Sequence, residues 1–89
     1  MFDGLPGADL VEAGLHDLAA GRETLASLLV SIGAPRLELV LALPRAPFPD
    51  PEHRLYALLA AEDADSAHSR YNAFLRRLVS FERAAESLR

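Results

Sequence analysis

The chain contains no cysteine, so neither disulfides nor thiolate metal sites can supplement its core. Lysine is missing too, and all nine basic residues are arginine, against thirteen acidic ones. The net charge of −4 argues against general affinity for DNA or RNA, which relies on clustered cationic side chains. Long apolar runs are also lacking. The longest uncharged stretch, Thr24 to Pro35, falls far short of the roughly 20 residues that a membrane-spanning helix needs. Met1 to Gly7 carries neither a basic n-region nor an apolar h-region, so the expected location is cytoplasmic.

Catalytic signatures are equally scarce. There is no GxSxG, no phosphate-cradling glycine loop and no nucleophilic cysteine. The histidines are His16, His53 and His68, and no two stand at the i, i+4 spacing of a helical metal pair. His68 with Glu62, Asp63 and Asp65 is the nearest approach to a ligand cluster, but acidic residues ahead of a helix ordinarily serve its positive N-terminal dipole. An enzyme acting on phosphates would have to draw on His68, Arg70 and Tyr71, with His53 and Arg54 nearby. The Arg-to-His spacing of the helical nucleases is not met after Arg54 or Arg70. No catalytic residue, metal or cofactor is expected from these residues, and an enzyme is not the expected class.

What the chain does have is a globular composition. Hydrophobic residues make up 51% and charged residues 25%, which separates it from disordered chains. Its 89 residues form one helical domain, and a domain this small buries only about 60–65% of its unfolded surface. Such a thin core favours self-association.

The most regular stretch is Ser66 to Leu88. Ala67, Tyr71, Phe74, Leu78, Phe81, Ala85 and Leu88 recur at steps of four and three, the seam of one long amphipathic helix. It is expected to be the organising element. Upstream, Met1 to Gly7 reads as an arm rich in helix-disfavouring residues. A helix over about Ala8 to Ala20 follows, with Val11, Leu15 and Leu18 on one face and Gly21 as left-handed terminator. Next comes a helix over about Glu23 to Ile32, with Leu25, Leu28, Leu29 and Ile32 buried, Ser27 and Ser31 opposite, and Gly33 as the stop. The short link between the two predicts an antiparallel hairpin.

Ala34 to Leu43 fits two templates. Its alternating leucines suit a half-buried strand, yet no other segment reads as β and a lone strand would leave backbone groups unsatisfied. The expectation is a short helix buried nearly all round, begun by Pro35. Residues 44–50 then form a proline-rich crossover pinned by Phe48. Asp50 caps a helix over Pro51 to about Asp63, with Leu55, Leu58 and Leu59 buried and Tyr56 at the edge. Asp65 or Ser66 caps the last helix. The fold class is therefore all-α: a bundle of four main helices plus one short buried helix.

Two surfaces on the last helix invite function. Leu75 and Val79 flank the seam and widen it beyond what one neighbouring helix covers. In heptad terms Arg70 and Arg77 occupy g and Leu75 and Glu82 occupy e, so a parallel pair would set Arg77 of one copy against Glu82 of the other. The seam itself, with Tyr, Phe and Ala where dimers prefer β-branched residues and Leu, suits an intramolecular core better. The expected function is a small non-catalytic interaction module or accessory subunit, forming a homodimer or binding another protein through Arg70, Leu75, Arg77, Val79 and Glu82. The alternative is a nucleic-acid or phospholigand binder using Arg70, Arg76, Arg77 and Arg83, part of a run of arginines that ends at Arg89.

Overall fold

Thr24 is where the second half of a helical hairpin begins, and its side chain shows why. The Thr24 hydroxyl accepts from the Ser27 N–H (3.2 Å), while Ser27 Oγ accepts from the Thr24 N–H (2.8 Å). This reciprocal capping box satisfies two otherwise orphaned donors. Thr24 also donates to Asp17 Oδ2 (2.7 Å), and Arg22 donates to Asp17 Oδ1 (3.1 Å). The tight link therefore carries its own polar lock.

The computed structural model describes residues 2–88, and Met1 and Arg89 lie outside the described residues. Four helices follow in order: α1 (Ala8–Ala19), α2 (Leu25–Leu37), α3 (Pro51–Glu62) and α4 (Ala67–Glu86), with no strand among the described residues. They form an all-α bundle. No helix among the described residues is long and apolar enough to cross a membrane.

The short third helix is not a separate element. α2 runs straight through Gly33 and Pro35 to Leu37, and residues 38–41 complete it as a turn, with Val40 and Leu41 N–H groups donating to the Leu37 carbonyl (2.9 Å each). Both local stop signals are overridden by packing. Pro35 gives no N–H to the Ser31 carbonyl, but it sits on the exposed side, where its ring meets solvent. Beyond it, Leu37 is fully buried and Arg36 is fastened to α4 by two bonds to Glu86 (2.7 and 2.9 Å). Gly33 is a point of close approach: a Cβ there would stand 2.9 Å from Glu82 Oε2 and 3.0 Å from Leu78 Cδ1. Gly14 plays the same part for α1, where an added Cβ would run into the Ala26 carbonyl and the Val30 side chain of α2.

α2 packs against all three other helices, and nine of its thirteen residues are buried, whereas five of the twenty in α4 are. The centre of the molecule is thus α2, with α4 the longest of the surrounding helices at about 30 Å. The predicted seam of α4 faces inward at Ala67, Leu78, Phe81 and Ala85. Leu88 departs from it: the helix ends at Glu86, leaving Leu88 67% exposed. Residues 2–7 fold back onto α4. The Phe2 ring meets Phe81 edge-on at 5.2 Å and 82°, and Gly7 takes φ 76 where a Cβ would press on the Arg77 carbonyl.

Ser27 and Ser31 are buried rather than solvated. Ser27 Oγ donates to the Arg22 carbonyl (2.7 Å). Ser31 Oγ donates to the Ser27 carbonyl (2.8 Å) and accepts from the Phe48 N–H (3.0 Å), tying the proline-rich crossover to the central helix. Asp50 and Ser66 occupy their expected boundary positions, but neither side chain caps its helix. Asp50 takes a left-handed conformation, φ 49, which turns its carboxylate away from the cap geometry. At the α3–α4 corner Asp63 Oδ1 accepts from the Asp65 N–H (3.1 Å), an Asx turn.

The glycine contacts make a direct prediction. Because backbone cannot yield as a side-chain end can, Gly14→Ala should lower stability by about 1–3 kcal/mol, read in a denaturant titration as a lower midpoint with an unchanged slope. An unchanged midpoint would mean that α1 and α2 are not in backbone contact.

Candidate functional site

The residues singled out by the α4 periodicity border grooves between α4 and the C-terminal half of α2. Leu75 and Val79, both half-buried, form one wall of a shallow groove of about 310 Å³. Ile32 and Pro35 of α2 form the other, with Leu78 at the base. At its base Gly33 makes room for the Leu78 and Glu82 side chains of α4, with Ile32 and Pro35 on either side of that contact.

This groove is continuous with two others. On the α4 side, Leu75 and Val79 are shared with a depression lined by Asn72, Arg76, Ser80 and Arg83. On the α2 side, Ile32 and Pro35 are shared with one bounded by Phe48, Glu38 and Glu52. The result is an apolar strip with one basic edge and one acidic edge.

The predicted contact residues are dispersed around this strip. Leu75 and Val79 lie in it. Arg70 is held by Glu62 (2.9 Å) at the α3–α4 corner, and Arg77 reaches Asp9 of α1 (3.2 Å). Glu82 is 4% exposed and faces Arg36 Nη1 at 3.4 Å, so within the monomer Arg77 and Glu82 serve two different internal junctions. Of the arginines in the alternative set, Arg76 and Arg83 share one groove and are exposed, with no ion pair among the described residues. Ile32 and Pro35 were missed as surface residues because Gly33 read as a helix end, which assigned them to different elements.

Burial and hydrogen bonding set the electrostatics. Desolvation pushes the Glu82 carboxyl up, and Arg36 only partly offsets it. Burial likewise raises the Tyr71 hydroxyl, reinforced by the Glu52 charge. Hydrogen bonds from Thr24 and Arg22 hold the Asp17 carboxyl below its usual range. The Glu86 bond raises Arg36, keeping it charged.

His68 shares a hydrogen bond with Asn72 (3.2 Å), and none of the grooves named here has histidine in its lining. Among the described residues no group of three or more His, Asp or Glu side chains is placed to hold a metal ion. What the strip is able to do is bury apolar area against another surface.

Glu82 gives a pH prediction. Burial makes ionising this carboxyl costlier in the folded state than in the unfolded one, so the stability it contributes is present below the ordinary glutamate value and is lost as pH rises through and above it. Glu82→Gln should therefore raise the thermal midpoint at pH 7 by a few degrees, the difference closing as pH falls toward 4. Arg36 keeps Glu86 as its partner, so the substitution orphans no charge. A lower midpoint for the variant at pH 7 would contradict this account. Comparison with protein-family models, with curated proteins and with solved structures finds no match to this chain.

Proposed function

We propose that the protein is a small non-catalytic interaction module that associates with itself, with the Leu75–Val79 and Ile32–Pro35 strip as its contact surface. The observation that carries this reading is the strip itself. Two helices present apolar side chains on either side of a groove whose base is already packed, so a second surface can seat against it without unfolding anything. A patch of this kind, rimmed by charge, is characteristic of contact sites. Arg76 and Arg83 sit at its rim, where they act on orientation and encounter rate more than on affinity.

A second reading draws on the same two arginines. With Asn72 and Ser80 beside them, they form a polar face suited to phosphate oxygens. Binding of that kind should weaken steeply with salt, and a labelled oligonucleotide showing no anisotropy change at low ionic strength would dismiss it.

Sedimentation equilibrium tests the first reading. The wild type should show concentration-dependent association, and Val79→Glu, which places a charge in the strip, should weaken it by about tenfold or more while leaving the helical circular dichroism unchanged. A wild type that stays monomeric into the high micromolar range would overturn the proposal.

A further inference from the structure

The strip is asymmetric in charge, and the asymmetry specifies a geometry. We infer that the occupant of the strip is a second copy of this chain, related by a two-fold axis running along the strip and roughly parallel to α4. This inference rests on the self-association reading above and adds its symmetry, its register and the side chains that set it.

The argument starts from the order of residues across the surface. Arg76 and Arg83 adjoin Leu75 and Val79, whereas Glu38 and Glu52 adjoin Ile32 and Pro35, so the basic and acidic edges lie on opposite sides of the apolar centre. All four charged residues are exposed, and none makes an ion pair among the described residues. The other arginines of α4 within the described residues, Arg70 and Arg77, are already paired within the monomer. The rim charges are thus among those that folding leaves without an ion pair, and they are the ones that border the strip.

An isologous interface meets itself across its axis: if residue i touches residue j, then j touches i. An axis laid across the strip would set Arg76 and Arg83 against their own copies and the glutamates against theirs, which like-charge repulsion opposes. An axis laid along the strip exchanges the two sides. Arg76 and Arg83 of each protomer then face Glu38 and Glu52 of the other, while the Leu75–Val79 wall of one packs on the Ile32–Pro35 wall of its partner. Only this choice pairs every rim charge with an opposite one. It also leaves Arg36, Glu82 and Glu86 as they are, since these three are already engaged with one another within one subunit.

Charge reversal on the two edges separately tests the arrangement. R76E/R83E carries two acidic edges and E38R/E52R two basic ones, so each alone should associate about tenfold or more weakly than the wild type at low salt. An equimolar mixture of the two should recover wild-type association as a heterodimer, seen by labelling one variant and following its sedimentation. Circular dichroism should show both variants as helical as the wild type. If the wild type dimerises and Val79→Glu abolishes it, yet the charge-reversed variants associate normally or fail to recover on mixing, the strip reading stands and the two-fold arrangement is wrong. If the wild type does not dimerise at all, both fall.

Discussion

Because α2 is buried on nearly every side, its neighbours have to come against its backbone, and at two of these contacts a side chain is left out. Gly14 supplies the gap on α1 and Gly33 supplies it on α2 itself. Glycine in a helix interior costs about 0.5–1 kcal/mol relative to alanine, so its presence at both places reflects tertiary contact rather than local preference. The close approach fixes how α1 and α4 sit around the central helix. It also lets Leu28, Leu29, Val30 and Leu37 become fully buried in a domain with little interior to spare.

Polar groups inside this core are few and fully occupied. Ser27 and Ser31 are satisfied by the turn before α2 and by the crossover after it, and no buried side-chain nitrogen or oxygen among the described residues lacks a partner. Glu82 differs in kind. Its carboxylate is driven up by burial beside a guanidinium whose stronger bonds go to Glu86. The Arg36 cluster therefore joins α2 to α4 with a fixed register, which a purely apolar contact does not impose, and it closes the groove at the end away from Leu75.

Much of the architecture was legible in the sequence. The steps of four and three in α4 survive as a buried face at Ala67, Leu78, Phe81 and Ala85, with Tyr71 and Phe74 half-buried, because a period of that kind has one physical solution, a helix with a single wet side. Pro51 and Gly21 mark real boundaries, since a ring at the first helical position and a left-handed residue after the last one act locally. Gly33 and Pro35 carry the same local signals and mean something else, because beyond them Leu37 is fully buried and Arg36 bonds to Glu82 and Glu86, 46 and 50 positions further along the chain. The candidate site shows the same division. Leu75 and Val79 were visible as flanks of a periodic seam, whereas Ile32 and Pro35 belong to the strip only once α2 is continuous. The Arg77 partner Asp9 lies 68 positions upstream, and heptad spacing has no means of finding it.

The single hydrogen bond from Phe48 N–H to Ser31 Oγ reaches beyond the loop that makes it. Pro44, Pro47, Pro49 and Pro51 have already removed much of the torsional freedom between Leu43 and α3, so the crossover behaves as a jointed strut with few hinges. The Phe48 clamp adds to the packing of Leu55 and Leu59 that holds α3, and with it Glu52, against the central helix. Ser31 on the buried side of α2 thus anchors one end of a connection whose other end carries Glu52 on the acidic margin.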